Sequence, residues 1–260
     1  MTFKVADIPD VIAAFLPPSA RLEFPEQGMT ADVAFASNGY QSVVVKRCAH
    51  PIYIDWLRRE QQVLRLLLDA DLPVPKFIYY AETLRDDSVE GWLVTSRLTG
   101  RSLWKTVLSM AAPHRASLLE SLGRLLRRLH STPIPQSLLD QPSWLARKLK
   151  EAEANLPWCD GNAELLERLR RTQPSAEPEV FIHGDTALDN FLIDADRGLS
   201  LIDWATGDSG DPRCDIALAL QCEPETTYSD LEIDAFYAGY GGQRVDLTTR
   251  KWFEDLWDFF

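Results

Sequence analysis

The stretch from Phe181 to Asp203 reads FIHGDTALDNFLIDADRGLSLID. Three short apolar runs in or beside it have the length and composition of strands, at residues 180–182, 191–193 and 199–202. A polar loop separates the first two runs, and a short turn separates the last two. We therefore expect a series of short strands that carries polar side chains at the strand ends.

The polar side chains of this stretch are typical of a phosphate-binding site. The loop projects His183, Asp185 and Asn190, and Asp203 directly follows the last apolar run. Such a group has no obvious packing role. Mg²⁺ takes hard oxygen ligands, usually one or two from carboxylates and the rest from phosphate and water. The stretch therefore predicts a magnesium–phosphate site.

The net charge of −12 is unevenly distributed along the chain. Residues 1–180 hold 22 basic and 22 acidic residues, whereas residues 181–260 hold 5 basic and 17 acidic residues. An acidic last third argues against nucleic acid as a partner and favours a small cationic substrate. The alternative is that metal ligands and solvated helix faces account for the charge.

Length and composition bound the remaining possibilities. The 260 residues are 45% hydrophobic, enough for one large domain or two small lobes. The four cysteines are far apart and form no CxxC pair, so we expect neither zinc nor disulfides, and a reducing cytoplasm. The N-terminus lacks the pattern of a signal peptide, and no apolar run approaches the roughly 18 residues of a membrane span. We expect a cytoplasmic monomer or weak dimer without a membrane partner.

The first third of the chain predicts a β-rich lobe with helices. Strands are expected at residues 21–24, 32–37, 42–46, 76–83 and 91–95. The pair Asn38-Gly39 lies between two of them and is a strong hairpin signal. Helices are expected at residues 7–16, before two prolines, and at 53–69.

After Ser96 the pattern becomes mainly helical. Helices are expected at residues 113–130, 143–155, 163–171, 211–222, 229–240 and 247–259. The first of them has a leucine stripe at helical spacing, with arginines on the other face. The chain is therefore expected to be an α+β protein, with an N-lobe of residues 1–96 and a C-lobe of residues 97–260.

The order of motifs resembles the aminoglycoside phosphotransferase family. The resemblance rests on the sequence His183-Gly184-Asp185, then Asn190, then Ile202-Asp203, then Gly210-Asp211-Pro212 followed by Asp215. That family is similar to protein kinases, whose catalytic loop has the same Asp-to-Asn spacing before a metal-binding aspartate. The resemblance covers nearly the whole chain and is closest in layout to the 3′-type aminoglycoside kinases. It implies a bilobal, protein-kinase-like fold that uses Mg²⁺ and ATP or GTP.

The resemblance assigns roles to the catalytic loop. Asp185 is the expected catalytic base for a substrate hydroxyl, the alternative being a turn aspartate that binds its own backbone. His183 is expected to brace the loop rather than act as a base. Asp215 is expected to support the loop backbone, or else to cap the helix that follows it. Asn190 and Asp203 are the expected Mg²⁺ ligands, with a strand-start cap and a strand-end turn as alternatives.

The nucleotide-binding residues are expected in the N-lobe. Lys46 should contact the α- and β-phosphates and pair with Glu60, unless it is a lysine that only extends from an edge strand. Residues 26–31 join the first two strands, and residues 28–32 are the counterpart of the kinase glycine-rich loop. Thr30 could give a phosphate a hydroxyl and an N–H group. Ser96 and Leu98 are expected in the hinge that meets the purine edge through backbone atoms.

The acceptor is the least determined part of the prediction. Four acidic groups are candidates for binding the ammonium groups of a substrate: Asp189, Glu153, Asp258 and the terminal carboxylate of Phe260. The alternative for the C-terminal residues is an amphipathic last helix that packs its aromatic side chains on the lobe.

The sequence thus predicts a small-molecule kinase, with an aminoglycoside antibiotic as the first choice of acceptor and with either antibiotic resistance or metabolism as the role. The alternatives within the same chemistry are metabolic kinases of choline, homoserine, methylthioribose or fructosamine. A metal-dependent phosphohydrolase is disfavoured, because Lys46 and Glu60 would have no role in its reaction. An inactive binding module is disfavoured because every expected catalytic residue type is present.

Overall fold

The computed structural model of the chain describes residues 3–25, 30–139, 141–222 and 227–260. The chain divides into two compact units. The first contains Met1–Gly100 with Ser200–Thr206, and the second contains Arg101–Leu199 with Gly207–Phe260. The short segment around Asp203 therefore belongs to the first unit, although more than ninety residues of the second precede it.

An antiparallel sheet forms the centre of the first unit. Its strands are β1 (Arg21–Glu23), β2 (Asp32–Ser37), β3 (Ser42–Cys48), β4 (Phe77–Arg85) and β5 (Ser88–Ser96). They lie in the order β1-β2-β3-β5-β4. The predicted hairpin turn is present. Gly39 has a φ of +89°, and Oδ1 of Asn38 accepts hydrogen bonds from the backbone N–H groups of Tyr40 and Gln41. All five predicted strands are thus present, and three of them extend beyond the predicted ends.

The two faces of this sheet have different partners. One face presents Ala34, Val45 and Val94 to a buried cluster that includes Phe3 and Ile12 from the N-terminal segment. This segment holds a single 3₁₀ turn (Val5–Asp7) and α1 (Asp10–Ala13). The longer helix α2 (Pro51–Leu66) packs on the sheet as well, and Gly91 lies at van der Waals distance from its side chains. Because side chains alternate along a strand, Val45 points into the first cluster and Lys46 points away from it.

The N-terminal helix is shorter than predicted. The expected helix of residues 7–16 is a 3₁₀ turn followed by four residues of α1. Pro9 lies at the N-cap of α1 with extended backbone, so the helix cannot begin before it.

Helices dominate the second unit. They are α3 (Leu103–Leu108), α4 (Ala112–His130), α5 (Gln136–Leu139), α6 (Trp144–Asn155), α7 (Ala163–Arg171), α8 (Pro212–Ala219), α9 (Asp230–Tyr240) and α10 (Leu247–Trp257). The six predicted helices all occur. In the part of the chain that the structure describes, no helix is long and apolar enough to cross a membrane.

Two small sheets flank the polar loop. β7 (Val180–Ile182) pairs with β10 (Asp208–Gly210), and β8 (Phe191–Asp194) lies between β6 (Arg101–Ser102) and β9 (Gly198–Leu201). The sequence did not predict β6 or β10, nor helices α3 and α5. β6 and β10 are two and three residues long and mostly polar, so each depends on the backbone of a partner strand rather than on a pattern of its own.

Helices α4 and α9 approach each other closely because two glycines face the contact. A Cβ atom on Gly123 would lie 2.1 Å from the carbonyl oxygen of Phe236. A Cβ atom on Gly239 would lie 1.9 Å from the carbonyl oxygen of Glu120. Any larger residue at either position would force the helices apart.

Candidate active site

Lys46 and Glu60 form a tight ion pair in the first unit. Lys46 lies on β3 and its Nζ atom is 2.7 and 2.8 Å from the two carboxylate oxygens of Glu60 on α2. The Glu60 residue is only 3% exposed. Since a buried carboxylate is costly unless it is paired, Lys46 is the partner that lets Glu60 remain inside the unit.

Asp203 is the third member of this cluster. Its Oδ1 atom lies 3.1 Å from Nζ of Lys46, and its side chain is 53% exposed. Asp203 has a φ of +66°, which is uncommon for a residue other than glycine. The following residue, Trp204, is completely buried, and its backbone N–H donates to Glu60. Trp204 thus fixes the segment, and Asp203 is left at the surface.

The charges of the cluster keep Lys46 protonated. Burial alone would lower the pKa of Lys46, but the carboxylates of Asp203 and Glu60 together raise it above its usual value. One cation thus lies between two carboxylates, and the more exposed of them, Asp203, is the one a further cation could reach.

The other predicted nucleotide-binding residues lie in the same unit. Thr30 accepts a hydrogen bond from the Cys48 thiol through its carbonyl oxygen, at 3.6 Å. Residues 26–29 of the predicted phosphate loop lie outside the described residues. Ser96 ends β5, and its Oγ accepts the backbone N–H of Lys76 at 2.8 Å. Leu98 follows it and is half-buried.

The Ser96 side chain lies on the face of the sheet opposite to Lys46. It lines a groove of about 370 Å³ together with Val43 and Ile78. Val43 shares a face with Val45, since the two are separated by one residue in a strand. A contribution of Ser96 to a site near Lys46 would therefore come from its backbone.

In the second unit, hydrogen bonds define the shape of the polar loop. Gly184 has a φ of +81°, so the chain turns sharply between the completely buried His183 and the half-buried Asp185. The backbone N–H of Asp185 donates to Nδ1 of His183 at 3.2 Å. Nδ2 of Asn190 donates to the carbonyl oxygen of Asp185 at 3.0 Å. The loop is therefore closed on itself around Asp185.

Asp215 anchors this loop from helix α8. Its two carboxylate oxygens accept the backbone N–H groups of His183 and Gly184, each at 2.8 Å. The Thr186 hydroxyl donates to the Asp215 carbonyl oxygen at 2.6 Å. The alternative that Asp215 caps its helix is wrong, because Asp211 is the N-cap residue and accepts the N–H of Arg213.

The donor atoms suit a magnesium ion. Asn190 uses its amide nitrogen within the loop, which leaves its amide oxygen as the atom that could meet a cation. The Asp185 carboxylate of the same unit is also a hard oxygen donor, and so is the Asp203 carboxylate of the first unit. Among the described residues, no group of three or more His, Cys, Asp or Glu side chains could hold a metal ion by itself.

Two of the predicted acceptor-binding residues are exposed carboxylates of the second unit. Asp189 is exposed within a 3₁₀ turn, Leu188–Asn190. Asp258 is exposed at the end of α10, where burial and the neighbouring Asp255 raise its pKa. Glu153 is also exposed, but it forms an ion pair with Arg170 at 2.6 Å.

The C-terminal residue has a cation beside its ring. Nζ of Lys148 lies 4.4 Å from the ring centre of Phe260 and 3.0 Å from a carboxylate oxygen of Glu151. The preceding residue, Phe259, is completely buried, and its carbonyl oxygen accepts a hydrogen bond from Asn155 at 2.9 Å. Sequence reasoning missed the Lys148 contact, since the two residues are far apart along the chain.

These features define a protein-kinase-like enzyme. They are an antiparallel sheet with one long helix in the first unit and a His-Gly-Asp loop in the mainly helical second unit. The comparisons with known proteins agree. A model described as the phosphotransferase enzyme family matches residues 21–253. The chain belongs to this family, and it is a phosphotransferase that uses a hydroxyl group as acceptor.

Relatives of known name fall into two groups. The chain is 27% identical over 227 residues to an aminoglycoside 3′-phosphotransferase of Streptomyces fradiae, with 80% of this chain and 77% of that protein covered. It is also 26% identical over 213 residues to acyl-CoA dehydrogenase family member 11 of Gallus gallus. That match covers 75% of this chain but only 27% of the vertebrate protein.

Solved structures confirm the fold. An ADP-bound aminoglycoside phosphotransferase, APH(2'')-Ib, has a TM-score of 0.65 at 18% identity, with 89% of this chain and 81% of that chain covered. A macrolide 2'-phosphotransferase from Brachybacterium faecium has a TM-score of 0.61 at 17% identity, with coverages of 96% and 89%. The predicted fold class, family and enzyme class are thereby confirmed.

Proposed function

We propose that this protein transfers the γ-phosphate of ATP or GTP to a hydroxyl of a small cationic acceptor, of which an aminoglycoside is the first choice. The observation that carries the proposal is the closed His-Gly-Asp loop, whose backbone N–H groups donate to the Asp215 carboxylate. The same chain also has an ion pair between Lys46 and Glu60. The two arrangements match the two tasks of phosphoryl transfer, which are to orient the acceptor and to neutralise phosphate charge.

Asp185 acts as the base that accepts or orients the proton of the acceptor hydroxyl. Its backbone is fixed on both sides, by His183 and by Asn190, so the position of the carboxylate is set before the acceptor binds. Because the transition state of phosphoryl transfer is loose, positioning accounts for most of the rate.

Lys46 binds nucleotide phosphates, and Glu60 orients it. Glu60 holds the Nζ atom through both carboxylate oxygens, which restricts a flexible side chain to one direction. Asn190 and Asp203 are the residues proposed to hold Mg²⁺, which would supply positive charge that offsets the charge of the phosphates. Thr30, Ser96 and Leu98 are the further residues proposed on the nucleotide side.

A cationic acceptor agrees with the distribution of charge. The last eighty residues carry all of the excess negative charge, and Asp189 and Asp258 are exposed there. Together with Phe260 they are the residues proposed to bind the ammonium groups of the acceptor. Glu153 has a weaker case than the other two, because Arg170 already neutralises it.

A second candidate acceptor is a smaller amino alcohol, as in the metabolic kinases. The Lys148 ammonium group beside Phe260 favours it, since a polycationic antibiotic near the C-terminus would meet a like charge. The match to a vertebrate protein that is not named for antibiotics is consistent with this candidate.

A combined binding and turnover assay tests the proposal. Thermal stability is measured with Mg-ATP and Mg-GTP and then with a panel of aminoglycosides and amino alcohols. Nucleoside diphosphate release is measured with and without each acceptor. We expect release that depends on an acceptor hydroxyl and that Asp185→Asn lowers by about 10²- to 10⁴-fold, with little change in nucleotide affinity. Release that ignores every acceptor would instead indicate a phosphohydrolase, and full activity of Asp185→Asn would refute the mechanism.

A further inference from the structure

A chain of buried hydrogen bonds runs from Tyr240 through His130 to Asp215. His130 is the last residue of α4, and its side chain is only 5% exposed. Its Nε2 atom lies 3.1 Å from Oδ2 of Asp215, and its Nδ1 atom lies 2.9 Å from the hydroxyl oxygen of Tyr240. Neither of these two contacts joins residues that are near one another in sequence, so no motif predicts the chain.

The chemistry of the two ends assigns the protons. The Asp215 carboxylate can only accept, so Nε2 of His130 carries a hydrogen and donates it. In the neutral imidazole Nδ1 is then an acceptor, and the Tyr240 hydroxyl donates to it. Burial and then the Asp215 charge raise the pKa of Tyr240 to about 12, so its hydroxyl keeps its proton at neutral pH. Tyr240 thereby selects the tautomer of His130 that can donate to Asp215.

The carboxylate that accepts the hydrogen bond from His130, that of Asp215, is also the one that holds the catalytic loop. Oδ2 of Asp215 accepts from both the His183 N–H and His130, while Oδ1 accepts from the Gly184 N–H. Two backbone donors alone would leave the carboxylate able to tilt toward either of them. The third donor, His130, approaches from another element and fixes its orientation.

The close contact of α4 and α9 places the participants. Gly123 lies so near α9 that a Cβ atom on it would be 2.8 Å from the backbone nitrogen of Tyr240. The rings of His130 and Tyr240 meet edge to face, with centres 5.6 Å apart. The two glycines thus bring the Tyr240 hydroxyl within reach of the last turn of α4.

We propose that His130 is a positioning residue of phosphoryl transfer, oriented by Tyr240, that acts through Asp215 on the loop carrying Asp185. The proposal rests on the proposed role of Asp185 in catalysis. The competing explanation is a histidine that only stabilises the packing of α4 against α9. The two differ in what they predict for the loop, because a packing residue has no specific effect on the His183 and Gly184 amides.

Four variants separate the two explanations. His130→Leu removes both hydrogen bonds at similar volume, and His130→Gln keeps an amide donor that can reach Asp215. Tyr240→Phe removes only the group that selects the tautomer. Leu122→Val is the matched control, because Leu122 is completely buried on the same helix and its apolar side chain makes no hydrogen bond of this chain.

Two readouts are measured, kinetics with Mg-nucleotide and the active acceptor, and amide hydrogen exchange of the protein without ligands. We expect His130→Leu to lower kcat about 10- to 100-fold with an unchanged KM for nucleotide, and to accelerate exchange at the His183 and Gly184 amides beyond the average of α4. His130→Gln should restore most of the kcat and most of the protection of these two amides from exchange. Tyr240→Phe should lower kcat a few-fold.

Each other outcome overturns the proposal. If Leu122→Val at equal thermal stability loses as much kcat, the effect is one of stability alone. If the His183 and Gly184 amides exchange at the wild-type rate in His130→Leu, the histidine does not hold the loop. If the wild-type protein transfers phosphate to no acceptor, the proposed function fails, while the exchange data still decide the structural claim.

Discussion

Asp203 and Asp215 lie twelve positions apart and look alike in sequence, but the structure uses them in opposite ways. Asp203 has an exposed side chain and an ion pair with Lys46 in the first unit. Asp215 is completely buried in the second unit, and backbone N–H groups and His130 surround it. A buried carboxylate with three donors contributes to structure, whereas an exposed one beside a single cation can still bind a ligand.

The largest expected effect concerns Asp203. Asp203→Asn should lower kcat about 10²- to 10³-fold, as removal of one charge-stabilising group typically does. The free energy of unfolding should fall by no more than about 1 kcal/mol, the usual contribution of a partly exposed ion pair such as that of Asp203 with Lys46. Turnover and urea denaturation of the same preparation measure the two quantities. Asp196→Asn, at a nearby exposed aspartate, is the control and should leave both unchanged.

For Asp215, unlike Asp203, a loss of stability is expected together with the loss of turnover. Asp215→Asn keeps the shape but replaces an acceptor oxygen by an amide donor, which faces an N–H group. Loss of hydrogen bonds to a charged group costs about 1.5–3 kcal/mol each, so the free energy of unfolding should fall by at least that amount. Urea denaturation measures it. An unchanged stability together with lost activity would mean that Asp215, like Asp203, has a ligand-binding role.

A double-mutant cycle at Lys46 and Glu60 tests how far the first unit depends on its ion pair. Lys46→Met leaves the Glu60 carboxylate buried without its cation and should cost about 3–5 kcal/mol of stability. The double variant with Lys46→Met and Glu60→Gln should recover much of the lost stability but none of the turnover. Thermal denaturation and nucleotide KM provide the two measurements. If the double variant is no more stable than the single one, Glu60 has another essential partner.

The smallest effect is expected for an exposed pair in the first unit, Arg58 and Glu82. Two hydrogen bonds of 2.5 and 2.6 Å from Arg58 lower the pKa of Glu82 to about 2 from a usual value near 4.5. A lowered pKa means that the stabilisation is complete above pH 4.5 and disappears as the pH falls toward 2. Glu82→Gln should therefore cost about 0–1 kcal/mol at pH 6 and less at pH 3. Denaturation at the two pH values checks it, and an equal loss at both would exclude the ionised carboxylate as the cause.

The sequence predicted most of the architecture because the apolar patterns are strong. The leucine stripe of α4 and the Asn38-Gly39 turn are local signals, and both appear where they were expected. The strand β10 was missed because its three residues have no apolar pattern and pair only through backbone atoms.

The candidate site was predictable in its residue types but less so in its supports. His183, Asp185 and Asn190 lie close together in sequence, so their spacing alone suggested a loop. The contact between His130 and Asp215 joins residues 85 positions apart, and the Lys148 contact with Phe260 is equally remote in sequence. Such pairs depend on how helices pack, which no single-sequence pattern encodes.

The return of Ser200–Thr206 to the first unit has a practical consequence for anyone who dissects this enzyme. A fragment that ends at residue 100 would lack Trp204, and the Glu60 carboxylate would lose its backbone donor along with the partner that Asp203 gives Lys46. The isolated fragment should therefore be a poor folding unit, whereas the same fragment mixed with a synthetic peptide of residues 198–208 would regain these contacts. Split-protein designs and limited proteolysis should treat this segment as an inseparable part of the first unit.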